Sequence, residues 1–208
     1  MTQNTYHPQT ARFIASVATC MPPLSSEVMQ GWIDNPQAIK KLLSGFNPPK
    51  TENNPILRLL SADETIIISA CDGTQTLAQA KETFPAYLDS DFKNWGLDKN
   101  GKPTEKTEVR AYEMAKDATF AQMFGSLKAD LDKLCLTQHQ IKTFCEKHQN
   151  LLRADGYGTF FLFKGEGQFF VADVRVRSDG LRVYVYRFGY DFVWHAGGRH
   201  RVVVPQLS

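Results

Sequence analysis

The chain has 208 residues, 42% of them apolar and 12% aromatic, with 24 basic against 22 acidic side chains for a net charge of +2. That composition excludes a disordered chain and a histone-like polybasic one, and it suffices for one large domain or two small ones. The four cysteines, Cys20, Cys71, Cys135 and Cys145, are widely and irregularly spaced with no CxxC pair, which argues against a disulfide framework and for reduced thiols in a cytoplasmic protein.

Residues 1–11 are polar. The apolar run from Phe13 to Cys20 is too short to span a membrane, for which about 20 residues are needed, and too weakly charged at its start for an export signal. A strand or helix packed on the core is expected there, and no membrane partner. Beyond Met21-Pro22-Pro23, Ser25 or Ser26 can cap a helix through Trp32. Asn35-Pro36 then restarts a second helix whose apolar stripe is Ile39, Leu42, Leu43 and Phe46. With only Lys40 and Lys41 as basic residues, the pair reads as a helical hairpin rather than a DNA-reading helix-turn-helix.

Residues 56–60 and 65–71 predict two strands, the second β-branched and buried on both faces. Asp72-Gly73 turns the chain into a helix that starts at Thr74 or Thr76 and ends at Pro85. No GxGxxG, GxxxxGKS or GxxxxGKT occurs, so neither dinucleotide nor P-loop chemistry is expected, and no cofactor. A charged loop over 98–106 leads to an alternating strand from Thr107 to Met114. Residues 118–134 carry Phe120, Met123, Phe124, Leu127, Leu131 and Leu134 at helical spacing. The next helix starts with a capping box, Thr137 and Gln140, and a Leu136–Ile141 staple, and runs to Leu152.

From Tyr157 the apolar period changes to two. Gly165-Glu166-Gly167, Asp179-Gly180 and Gly197-Gly198 punctuate five short strands. With Asp179-Gly180 as a two-residue type I′ loop, Val176 opposes Val183 and Val174 opposes Val185 on one face. Arg177 then opposes Arg182, and Arg175 opposes Tyr184, on the other. The fold class is therefore α+β: a mixed N-terminal region of helices and a few strands, then a helix and a C-terminal antiparallel β-meander, as a curled sheet or a small SH3-like barrel. The expected organisation is an N-terminal segment 1–23, a mixed region 24–135 and a helix-plus-β module 136–208 that can pack on the mixed region as one domain.

The runs Leu136-Thr137-Gln138, Asp155 to Phe163 and Arg199 to Pro205, with Asp89 to Gly96, resemble a group of uncharacterised bacterial proteins from uncultured lineages. The resemblance implies a bacterial, intracellular origin and carries no activity.

Arg175, Arg177 and Arg182 beside Tyr184 and Tyr186 form the leading candidate surface. Arginine forks suit phosphate and tyrosines on a sheet stack bases, so a binding protein for nucleic acid or another polyanion is expected rather than an enzyme. The alternatives are a protein-interaction or self-assembly module, and an enzyme with its site near Cys71-Asp72 or Asp91. His195 and His200, opposed across a Gly197-Gly198 hairpin, are a candidate metal pair that lacks a third ligand. Cys145 with His148 and His139, and the acids Asp89, Asp91 and Asp98 near Trp95, are weaker constellations, more simply read as buried or capping groups.

Overall fold

The computed structural model describes residues 22–38, 55–61 and 64–207, together with Arg12, Ser16, Ala18 and Thr19. The chain divides into two compact units, residues 1–52 and 53–208. In the first, helix α1 (Ser26–Asp34) begins where the sequence places it, with the Ser25 hydroxyl accepting the Val28 N–H. Asn35 Oδ1 accepts the Ala38 N–H at 3.2 Å over the restarted turn. The stripe Ile39, Leu42, Leu43 and Phe46, and most of the run from Phe13 to Cys20, lie outside the described residues.

The second unit is α+β, built on one mixed sheet of eight strands: β1 (Leu57–Leu59), β2 (Ile66–Ile68), β3 (Tyr87–Leu88), β4 (Thr107–Met114), β5 (Gly158–Gly165), β6 (Gln168–Arg177), β7 (Gly180–Arg187) and β8 (Arg201–Pro205). The order is β1-β4-β8-β5-β6-β7-β3, with β2 also on β4, and the sheet is not closed into a barrel. Four short helices complete the unit among the described residues: α2 (Asp91–Asn94), α3 (Phe120–Gly125), α4 (Leu131–Leu134) and α5 (Gln138–Lys147). No described helix is long and apolar enough to cross a membrane.

The meander β5-β6-β7 is antiparallel as expected. Its first turn is a two-residue loop in which Glu166 (φ 46°) and Gly167 (φ 74°) both take the positive φ that a type I′ turn requires. The second turn differs from expectation. Its pairing is Arg177↔Gly180, Val176↔Leu181, Arg175↔Arg182, Val174↔Val183 and Asp173↔Tyr184. The loop residues are Ser178-Asp179, and only Gly180 has positive φ, at 122°. A type I′ turn would need Asp179 there too, so the turn sits one residue earlier than Asp179-Gly180 would place it. Moving the turn by one residue changes each partner by two, so the parity of the faces survives although the partners change. The like-charge pair is Arg175 with Arg182, not Arg177 with Arg182.

The last hairpin does not form. β8 leaves the meander and inserts between β4, to which it is antiparallel, and β5, to which it is parallel. Residues Ala196–Gly198 form a 3-10 turn, and Trp194 bridges to Ala118 instead of facing β8. Two predicted helices are also shortened. Over 118–134 the chain breaks between α3 and α4, where Lys128 takes a φ of 55°. Over 74–84 only a 3-10 turn, Leu77–Gln79, forms. The α5 capping box is present in both directions.

Both faces of the sheet are covered. One layer, including Phe92, Leu97, Ile141 and Phe144, packs against Phe161, Phe163, Val174 and Val183. The other, including Phe120, Phe124, Leu134 and Trp194, packs against Phe160, Leu162, Val171 and Val202. Strand β5 is consequently buried from Gly158 to Phe163, which is why its sequence is an unbroken apolar run rather than an alternating one.

Gly180 makes the turn testable. Its φ of +122° is strained for any side chain, and an added Cβ would lie 3.0 Å from Pro85 Cγ. Gly180→Ala is expected to lower stability by about 1–3 kcal/mol in urea unfolding. Gly189→Ala, where a Cβ meets nothing within 4 Å, should change it by about 1 kcal/mol or less.

Candidate functional site

The second layer stops short of the C-terminal half of β6. There the odd positions of β6 and the even positions of β7 face the segment 188–200 and the bend at Asp155-Gly156-Tyr157, leaving a cleft of about 570 Å³. That volume lies within the usual range for ligand clefts. Arg175, Arg177, Tyr186, Trp194, His195 and His200 all line it.

Beneath the cleft sits Asp173, fully buried. Arg175 donates to its Oδ2 twice, from Nε at 2.9 Å and from Nη2 at 2.7 Å. Oδ1 has no hydrogen-bond partner among the described residues, and a Cβ at residue 158 would collide with it, so only glycine fits at that point of β5. Burial pushes the Asp173 carboxyl up to about 6, and the Arg175 guanidinium opposes that rise. The same guanidinium lies 4.8 Å from the centre of the Tyr184 ring and 5.9 Å from that of Trp194. Arg175 is therefore fixed by one carboxylate and two rings.

The aromatic wall comes from an alternation that runs past the end of β7: Tyr184, Tyr186, Phe188, Tyr190, Phe192 and Trp194. Tyr186 stacks on Tyr190 at 5.2 Å, Tyr190 on Phe192 at 6.0 Å, and Phe192 meets Trp194 edge-on at 5.1 Å. The wall is open on its outer side, with Tyr190 42%, Phe192 47% and Tyr157 42% exposed. Burial raises the Tyr186 hydroxyl to about 12, so it stays protonated.

His200 closes the inner end. The Gly158 N–H donates to its Nδ1 at 3.0 Å. Its ring stacks on Phe160 at 5.1 Å and meets Tyr157 at 5.6 Å. Burial, with the Arg175 charge added, lowers its pKa to about 4, so it is neutral at pH 7. His195 is not its cross-strand partner, because residues 193–195 never pair with β8. His195 Nδ1 lies 3.1 Å from Asp117 Oδ2 instead. Among the described residues no group of three His, Cys, Asp or Glu side chains converges as a metal site would require.

The expected Arg/Tyr group is thus divided. Arg175, Arg177 and Tyr186 enter the cleft, whereas Arg182 bonds Asp179 at 2.7 Å and Tyr184 stacks on Tyr87 at 4.8 Å. Arg177 forms no salt bridge among the described residues, and its guanidinium lies directly over Gly156. Tyr157, Tyr190, Phe192 and Trp194 were not anticipated from the sequence. The two-residue aromatic period is the signal that points to them, but it continues through residues that are not a strand.

The other constellations are locally engaged. Cys145 is fully buried and burial raises its thiol far above the ordinary value. His148 Nε2 lies 3.0 Å from Ile67 O rather than against that sulfur. Cys71, Cys135 and Cys145 are free thiols. Asp89 accepts the backbone N–H groups of Asp91 and Val185, and Asp72 accepts that of Thr74. Trp194 meets Arg175, and Arg201 Nη1 donates to Asn150 O and Leu152 O.

Comparison with protein-family models, curated proteins and solved structures finds no match. The bacterial origin implied by the resemblance gains no support from these comparisons, and function is read from the geometry.

Two buried titrating groups of the cleft, His200 and Asp173, have opposite pH signatures. The folded value of His200 lies below its unfolded value, so the stability it confers is present above pH 6.5 and lost as pH falls towards 4. The folded value of Asp173 lies above its unfolded value, so its cost is present above about pH 6 and relieved on acidification. His200→Gln keeps an acceptor for Gly158 without titrating. Its Tm relative to the unsubstituted protein should therefore rise steadily between pH 6.5 and 4.5, whatever its starting deficit at pH 7. A constant difference would show that His200 does not titrate abnormally in the fold.

Proposed function

We propose that the chain is a binding protein, and that its cleft takes single-stranded nucleic acid by stacking bases on the Tyr190–Phe192 wall with Arg177 on the backbone phosphate. The observation that carries this reading is the row of exposed, mutually stacked rings beside an arginine that forms no salt bridge among the described residues. Base–aromatic stacking is worth about 1–3 kcal/mol per base and tolerates any sequence. A planar guanidinium suits a phosphate oxygen pair.

The reading differs in scale from a broad polyanion surface. Arg175 bonds Asp173 through one edge and Arg182 bonds Asp179, which leaves Arg177 as the one of the three whose whole guanidinium forms no salt bridge among the described residues. Duplex DNA, which hides its base faces, does not suit this cleft. With one or two phosphates neutralised, log K should fall against log salt with a slope of only about −1.

The test is titration of the purified protein with a short unstructured oligonucleotide, followed by intrinsic tryptophan fluorescence, with Trp32→Phe and Trp95→Phe in place so that the signal comes from Trp194. Tyr190→Ala with Phe192→Ala should weaken binding at least about tenfold, and Arg177→Ala should flatten the salt slope. A duplex of the same sequence should bind more weakly. Failure of any single strand to bind at low salt would retire the reading.

A second reading rests on the same exposed rings with Val193, 45% exposed: a protein-interaction surface, including one between copies of this chain. Light scattering separates the two, since self-association through this wall gives a concentration-dependent mass that Phe192→Ala abolishes. An enzyme reading has no comparable support, because Cys71, Asp72 and Asp91 are held in local hydrogen bonds.

A further inference from the structure

We propose that the inner end of the cleft holds a terminal phosphate monoester, so that the strand is engaged by a phosphorylated end rather than along its interior. This rests on the binding reading above and narrows it to one position on the strand.

An imidazole nitrogen that accepts a hydrogen bond carries no proton. Because His200 Nδ1 accepts from Gly158, the neutral ring bears its hydrogen on Nε2. That nitrogen has no hydrogen-bond partner among the described residues, and the residue lines the cleft beside Gly198. It is a fixed donor on a ring held between Phe160 and Tyr157. Arg175 adds another, because its Nε and Nη2 are taken by Asp173 while Nη1 is left over. Arg177 contributes a whole guanidinium.

The acids around this end are already matched. Asp155 pairs with Arg153 at 3.3 Å, Asp117 with His195 at 3.1 Å and Asp173 with Arg175 at 2.7 Å. Arg177 is left with no salt bridge among the described residues, and the one buried acceptor without a partner among them beneath this end is Asp173 Oδ1. The electrostatic influence of Arg175, Arg153 and His195 on His200, each acting against its protonation, reports the same local field.

A donor-rich end asks for an acceptor-rich ligand group. A phosphodiester inside a strand offers one negative charge and two free oxygens. A terminal monoester offers three, with a charge of about −1.5 to −2 near pH 7. Two guanidiniums and an imidazole N–H match the monoester better, since charge-assisted hydrogen bonds are the strong ones. The exposed rings of Tyr190 and Phe192 then lie outward of it, where the adjoining base would stack.

The experiment uses the full chain and one short labelled single-stranded oligonucleotide in three forms: unphosphorylated, 5′-phosphorylated and 3′-phosphorylated. One phosphorylated form should bind about tenfold or more tighter than the unphosphorylated strand, equivalent to about 1.4 kcal/mol. Arg177→Ala should weaken every form but the phosphorylated one most, so that the three bind alike, and Arg177→Lys should keep part of the preference. Arg177 is exposed, and near-UV circular dichroism checks that both variants fold. Equal affinity for all three forms overturns the inference and leaves the stacking reading standing. Displacement by a nucleoside monophosphate at the same concentration as by the phosphorylated strand also overturns it, by assigning the phosphate site to a free nucleotide. Absence of binding to every form removes the inference and the reading together.

Discussion

The contact between Asp173 and Arg175 organises the functional half of this molecule. A carboxylate with no exposed surface sits on β6 opposite Tyr184, where a long apolar side chain would have made an ordinary core. Burying that charge is costly, and a bidentate guanidinium from the same strand face offsets the cost. The guanidinium is in turn pressed between Tyr184 and Trp194. Trp194 brings the segment 188–200 with it through its bridge to Ala118. One ion pair thus positions the rings that wall the cleft.

The pair has this leverage because both faces of the sheet are otherwise filled. The β5 strand and the first half of β6 lie between two apolar layers, and at native packing density such layers leave no room for a polar chain without a partner. The cleft opens where the second layer ends, with Phe160 and Trp194 on its dry side and Arg177 and Tyr190 on its wet side. A site on that border has a rigid floor set by core packing and a rim free to meet a ligand. The inward neutral histidine and the outward arginine, which forms no salt bridge among the described residues, belong to the same gradient from dry to wet.

Placement of β8 decides the rest of the shape. By entering between β4 and β5 rather than folding back on residues 193–195, it makes the N-terminal strands and the meander one sheet. It also releases residues 188–200 to cross over the second face. His200 stands immediately before β8, so the insertion carries it beneath the cleft, against Gly158 and Phe160.

Much of this was legible along the chain. The Thr137–Gln140 capping box, the strand at Thr107–Met114, the meander and the face parity of its valines follow from local rules: side-chain reach at a helix start, period-two burial, and glycine at positive φ. The division of Arg175, Arg177 and Arg182 among three different environments was not legible, because pairing with Asp173, openness, and pairing with Asp179 depend on what covers each residue. Nor was the shift of the second turn to Ser178-Asp179. Its alternative preserves the same buried faces, so hydrophobic pattern does not discriminate between them, and the packing of Gly180 against Pro85 does. The β8 insertion was hidden for a related reason. A strand buried on both faces, such as Val202-Val203-Val204, carries no alternation to show which neighbour it pairs with, and partner choice among such strands is made by the tertiary packing of the whole sheet.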